Sequence, residues 1–254
     1  MCSIVNPGGE GRDSDAQRKK TGVAEGGAKP ASDLAYSTVD EPVKKIATSL
    51  VTSDEILEDA TNIQAFLNSR LSLFVKLEEE RQLLRGGGTN ELVGLVGRSG
   101  VNTYARGTVD NNAVAVAKVI ANTRGSSFLE PSGIVMHPTN WLSTRLLTDS
   151  AGQFFGGGPF TGQYGNAGQA PAGMFGASLW GLPVALSTTV GSGTAVVGSF
   201  AQGATIFRRG GLTVEATNSH ASLFLTNEVA IRAEQREALA VWRPGAFTVI
   251  SGLS

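Results

Sequence analysis

The run from Thr61 to Arg85 constrains the fold of this chain more than any other segment. Ile63, Phe66, Leu67, Leu71, Phe74, Leu77 and Leu84 recur within it at helical spacing. The triple glycine Gly86-Gly-Gly88 then stops the helix, because glycine accepts the left-handed backbone that closes a last turn. At 1.5 Å per residue such a helix is roughly 35–40 Å long, which is long for a globular domain. The charged cluster Glu78-Glu-Glu-Arg81 reads as its solvated face.

Elements on either side give the fold class. From Ala35 to Thr52 the β-branched residues Val39, Val43, Ile46 and Val51 predict strand, and Ser53 caps a short acidic turn over 54–59. A second helix is expected over 111–123, with Asp110 as cap and Val114, Ala117, Ile120 and Ala121 facing inward. A strand over 133–136 and a short helix near Trp141–Leu147 come after it. Residues 151–181 are a Gly/Ala/Pro-rich loop region. Strand-like segments then run over 182–186, 195–200, 204–207, 212–216, 223–233 and 247–250. Strands segregated from long helices indicate an α+β fold rather than a doubly wound sheet. Residues 1–22 are polar and Gly-rich, too poor in apolar surface to offset their ordering entropy, and are read as disordered.

Composition narrows the function classes. With 254 residues the chain can bury a sizeable core, as one large domain or two intimate ones. The formal charge of −1 and the lack of a Lys/Arg stripe argue against tight phosphate binding. A single cysteine, Cys2, makes no internal disulfide and fits a reducing compartment. Neither a signal segment nor a long apolar run stands out, so no membrane span is expected. The 33 glycines follow no collagen-like or other repeat period.

Motifs of conventional enzymes are missing. Gly86-Gly-Gly88 does not open a phosphate loop, and Pro159 comes directly after Gly156-Gly-Gly158. His137 and His220 lie far apart with no Cys or paired carboxylates at ligand spacing, so no metal and no cofactor is expected. His137, just before Pro138, reads as a turn residue. Ser99 lacks the final glycine of a nucleophile elbow.

Several segments, taken in order, carry a family resemblance. They are Val23-Ala-Glu-Gly-Gly-Ala-Lys-Pro30, Val43-Lys-Lys-Ile-Ala47, the turn ending at Ala60, and the helix end Lys76-Leu-Glu-Glu-Glu-Arg-Gln-Leu-Leu-Arg85. Further along come Gly133-Ile-Val-Met-His-Pro-Thr-Asn-Trp141, Leu179-Trp-Gly-Leu-Pro-Val184 and Val241-Trp-Arg-Pro-Gly-Ala-Phe247. Over residues 23–254 the chain resembles the major capsid proteins of tailed bacteriophages, the family with the Hong Kong 97-type fold. The resemblance implies that the long helix is the spine of a discontinuous peripheral domain, 35–90 and 208–254. Residues 91–207 would form the axial domain, its Gly-rich loops serving as contacts between subunits. Residues 1–34 would be a disordered N-terminus and the remnant of an extended loop, about 21–33 being its returning strand, so that the copy reads as N-terminally truncated.

The resemblance also implies partners and one reaction. The expected partners are further copies of the chain, as pentamers and hexamers, packaged double-stranded DNA bound without sequence preference, and portal, scaffold or protease proteins. The expected location is the virion, after assembly in a bacterial host cytoplasm. Some family members cross-link subunits through a lysine, an asparagine and a glutamate, and the matching positions here are Lys29, Asn227 and Glu234. Lys29 would attack the Asn227 amide and expel ammonia, with Glu234 taking the proton. The spacing of seven turns Asn227 and Glu234 to opposite faces of a regular strand, which suits residues serving different junctions. Two other readings remain: an encapsulin-type compartment enclosing protein cargo, and a small soluble enzyme, for which the sequence offers no convergent polar set.

Overall fold

The computed structural model describes residues 2–6, 25, 27, 37–59, 61–152, 178–220 and 223–254. Strand β1 (Cys2–Asn6) pairs antiparallel with β2 (Ser37–Glu41), so residues 2–6 are ordered as a strand rather than disordered. Ile4 and Val5, both β-branched, suit a ladder despite the polar and Gly-rich composition of residues 7–22. All but residues 25 and 27 of the expected returning strand of an extended loop, about 21–33, and nearly all of the Gly-rich region 151–181 lie outside the described residues.

The rest of the described chain is built as two layered units. In the first, β3 (Lys44–Ser53) leads through α1 (Asp54–Asp59) into α2 (Thr61–Arg85), the long helix. The Ser53 hydroxyl accepts from the Ile56 amide at 3.4 Å, as its capping role requires. Gly86 ends α2 where no larger residue fits: a Cβ there would lie 2.1 Å from the Leu92 carbonyl oxygen. The helix buries Leu71, Val75, Glu79, Gln82 and Leu84 but exposes Phe66, Leu73, Phe74 and Leu77. Spacing identified the helix, yet Phe66, Phe74 and Leu77, three of the seven residues expected on its inner face, are outside, and Glu79 of the expected solvated cluster is inside.

In the second unit, β4 (Asn102–Ala105), α3 (Asn112–Ser127), β5 (Gly133–Met136) and α4 (Pro138–Arg145) come in chain order. β6 (Ser178–Leu179), β7 (Leu182–Leu186) and β8 (Thr194–Gly198) complete the middle of the chain. The cap of α3 is Asn111, not Asp110, and its side chain accepts from the Val114 amide at 2.8 Å. Its buried face is Asn112, Ala115, Val116, Val119 and Thr123, so Val114 points outward, contrary to expectation. Asp110 is occupied instead by Lys118, whose Nζ donates to both carboxylate oxygens at 2.8 and 2.6 Å.

The chain then returns to the first unit through β9 (Ala204–Arg208), β10 (Thr213–Thr217) and β11 (Glu228–Val241), and closes with β12 (Phe247–Ser251). β11 pairs with β3 along one edge, and with β10 and then β9 along the other. A six-stranded sheet has the order β4-β12-β8-β5-β7-β6, with β12/β4 and β5/β7 parallel and the other neighbours antiparallel. The sequence division assigns 247–251 to the same domain as the long helix, whereas the strand itself is hydrogen-bonded within the six-stranded sheet. The mixture of segregated helices and largely antiparallel sheets is α+β.

Three apolar clusters result. One lies between α3, α4 and the six-stranded sheet, around Val116, Val119, Ile134, Met136, Trp141 and Val197. A second joins α2 to the other sheet through Leu71, Val75, Ile46, Ile231 and Ala233. The third, Leu95, Leu239, Val241, Ala246 and Phe247, sits where the units meet. Gly198 is required there, since a Cβ would come within 2.3 Å of the Phe247 ring.

Candidate functional site

β11 carries or adjoins two of the three residues singled out for cross-linking. Asn227 precedes the strand in a left-handed conformation, with φ of 53°, one of the few such positions for a residue other than glycine. Asparagine is among the side chains that tolerate it, and the residue's carbonyl accepts from the Asp54 amide at 2.9 Å. This bond pins the turn to the start of α1 while the side chain stays in solvent. Phe224 and Leu225, in the turn before it, are 72% and 85% exposed.

Glu234 lies in mid-strand, opposite Thr213 of β10 and Ala47 of β3. Its Oε2 is 3.3 Å from Lys45 Nζ and 3.4 Å from Arg232 Nε. Arg232 in turn donates to Glu215 at 2.8 Å. Seven residues at strand rise separate Asn227 from Glu234 by about 23 Å, so one subunit does not bring them together. Lys29 lies outside the described residues.

The opposite parity of β11 holds a group that the sequence reading missed. Ile231, Ala233, Gln235, Glu237 and Leu239 alternate into the interior, placing Gln235 and Glu237 in a row of apolar neighbours. Glu237 is fully buried and Glu79 of α2 is 8% exposed. Gln235 Nε2 donates to Glu79 Oε2 at 3.2 Å and to Glu237 Oε2 at 2.9 Å. Arg208 of β9 pairs with Glu79 and reaches Glu237 Oε2 at 3.5 Å. Continuing period two from Ile231 and Ala233 would have found both residues from sequence.

A second nearly buried pair, Arg98 with Glu41, ties the end of β2 to the segment after α2. Arg98 also donates to the carbonyls of Val93 at 2.7 Å and Leu239 at 3.4 Å. His137 caps α4 through its ring nitrogen, which accepts from the Thr139 amide at 3.2 Å, a structural use of the residue. A groove beside α2 is lined by Phe74, Leu77, Glu78, Arg81, Arg85, Thr188 and Thr189. Its carboxylate, Glu78, is held below the usual carboxylate range by its bonds to Arg81, so it is a spent partner rather than a free base. Among the described residues no group of three or more His, Cys, Asp or Glu is placed to hold a metal ion. No helix among them is long and apolar enough to cross a membrane.

Comparison with known proteins identifies this architecture. The model of the phage capsid family matches residues 6–252. The major capsid protein of Enterobacteria phage HK97 is 33% identical over 229 residues, covering 89% of this chain and 56% of that protein. The chain thus spans little more than half the length of the curated relative it matches. Among solved structures, the capsid of the empty GTA particle superposes with a TM-score of 0.70 at 18% identity, over 100% of this chain and 84% of that one. The structure from Gordonia phage Cozz gives 0.70 at 18% identity, over 92% and 77%. That from Mycobacterium phage Ogopogo gives 0.68 at 16%, over 98% and 86%. At these identities the structural likeness speaks for the fold, and the sequence match speaks for descent. The chain belongs to the phage capsid family and has the Hong Kong 97-type fold.

Proposed function

We propose that this chain is a subunit of the icosahedral head shell of a tailed phage or prophage, self-assembling through pentamers and hexamers around double-stranded DNA. The observation that carries the reading is a family match running through both units of the fold. Large apolar side chains left exposed on α2 and in the turn before β11 support it, because contacts between copies would cover them. In this reading α1, α2 and the sheet of β3 and β9–β11 form the peripheral domain. The six-stranded unit, β12 included, forms the axial one. The DNA would be enclosed rather than gripped, as the near-zero net charge suggests. Portal, scaffold and protease proteins would be the transient partners. The relatives are capsids of phages and of a GTA particle, which favours a DNA-filled head over a compartment for protein cargo. Purified full chain should give capsomers or shells in negative stain and by size exclusion. A clean monomer at high concentration overturns the reading.

Isopeptide joining of Lys29 to Asn227, with Glu234 as base, is the finer part of the same proposal. The exposed Asn227 side chain in its pinned turn supports it, since a reacting amide needs both access and a fixed position. The distance along β11 means that a junction would draw Asn227 and Glu234 from different subunits. Glu234 would have to exchange Lys45 or Arg232 for the incoming ammonium before taking its proton. Assembled particles boiled in detergent should then leave a ladder of multimers, with joined peptides lighter by one ammonia per link. Glu234→Gln should abolish the ladder and leave the particles intact. Wild-type shells that dissolve wholly to monomer would exclude the bond and leave the shell assignment standing.

A further inference from the structure

The shell reading gives no task to the acids buried between α2 and β11. Glu79 and Glu237 approach each other in the buried layer there, on elements that also bury the apolar Val75 and Leu239. One guanidinium, Arg208, serves both carboxyl groups. The other cation in register with Glu237 is Lys44 of β3, and its ammonium is spent on the Thr89 carbonyl at 2.9 Å. From α2, Glu78 and Arg81 are bonded to each other, and Gln82 donates to Glu78. From β11, Gln235 supplies a neutral amide. Two ionised carboxylates against one cation would leave a net negative charge in the interior, which is costly. Moreover, Glu237 Oε1 is buried without any donor, whereas Oε2 has two. An acceptor in that position costs free energy as it stands and gains a purpose if it carries a hydrogen.

We propose that Glu79 and Glu237 form a proton-held latch in which a protonated Glu237 balances the single Arg208 cation and fastens β9 and β11 to the spine helix. Loss of that proton leaves two like charges facing each other and loosens the contact. Burial pushes the Glu237 carboxyl up from its ordinary value. The Gln235 amide and Arg208 oppose this, and the Glu79 charge adds to it. With the folded-state value raised, the stabilisation is whole below the unfolded value near 4.5 and is lost as pH climbs through the folded one. Because β9 carries the chain back from the six-stranded unit, the latch lies where the two units are joined.

Two measurements on the full chain test this. The folding equilibrium of the wild type, from urea unfolding, should fall by up to about tenfold per pH unit above the ordinary carboxylate range. Glu237→Gln, whose amide supplies the missing donor at every pH, should flatten that slope. In infrared spectra the wild type should show the carbonyl band of a buried protonated carboxyl group that disappears on raising the pH. Glu79→Gln should move that disappearance to lower pH, since it removes the like charge that opposes ionisation of Glu237 while leaving the burial; a shift to higher pH would mean that Glu79 supports the ionised form and would overturn the like-charge pairing. The infrared titration needs only wild-type protein, so it decides the matter even where a variant fails to fold. Absence of the band in the wild type overturns the latch, as do parallel pH profiles for wild type and Glu237→Gln.

Discussion

The two units of this fold solve the same packing problem differently. The six-stranded unit hides large apolar residues completely: Ile134, Met136, Val197 and Ile250 lie between its sheet and α3 or α4, with exposures of 1% or less. The spine unit does the reverse on one side. It leaves Phe66, Phe74 and Leu77 about half exposed on α2 while burying Glu79, Gln235 and Glu237 beneath the same helix. Fully burying one such apolar side chain is worth about 1.5–3 kcal/mol. A monomeric fold gains nothing from leaving three outside, so this unit fits a chain that completes its burial against others. The six-stranded unit is a finished core, and the spine unit is half of one.

The sharpest way to break that comparison is to cut a phenylalanine from each kind of place. Phe247→Ala, at the junction, should cost about 3–5 kcal/mol in urea unfolding, because its ring packs edge-on against Phe200 and closes against Gly198. Phe74→Ala should change the unfolding of the lone subunit by less than about 0.5 kcal/mol, yet raise the concentration needed for assembly seen by light scattering. Equal losses in the lone subunit would make the two units alike.

A second test addresses the seam between the units. Arg98→Ala should cost about 3 kcal/mol, since it strands Glu41 and frees the carbonyls of Val93 and Leu239. Replacing both partners, Arg98→Met with Glu41→Leu, should recover much of that loss in the same unfolding assay. The smallest expected effect lies on the surface of the six-stranded unit. Lys118 holds the Asp110 carboxyl below its ordinary value of 3.8, so its contribution is present above that pH and is lost as pH falls through the folded value. The difference in Tm between wild type and Lys118→Ala should therefore vanish in acid and shrink in high salt. A difference that persists in molar salt would mean that Lys118 acts through packing instead.

Element identity was largely legible in the sequence, and element faces were not. The bounds of α2 could be read from apolar spacing and Gly86, and β5 and β7 from short apolar runs. The inner face of α3 was misread because alanines and valines occupy every position from Ala113 to Ala117, so spacing picks no side. The inner face of α2 was misread for a different reason. Its exposed phenylalanines follow helical periodicity as faithfully as its buried leucines do, and periodicity cannot tell a core from a docking face. The parallel pairing of β12 with β4 joins segments far apart in the chain, which no local pattern records. At the candidate site, Asn227 and Glu234 came from resemblance alone, and their separation became visible once β11 was seen as a continuous ladder.

The length of that ladder has a mechanical meaning. β11 makes ten register pairs with β3 on one edge, and on the other it spans the gap between β10 and β9, five pairs to each. It is a splint across a break. A pull along its axis loads all the hydrogen bonds to β3 together, because antiparallel bonds lie crosswise to the strand. A pull across it would open them one at a time. A shell wall under pressure from within is stretched in its own plane, so a subunit that lays this strand along the wall meets the load in shear, the direction in which a sheet is hardest to tear.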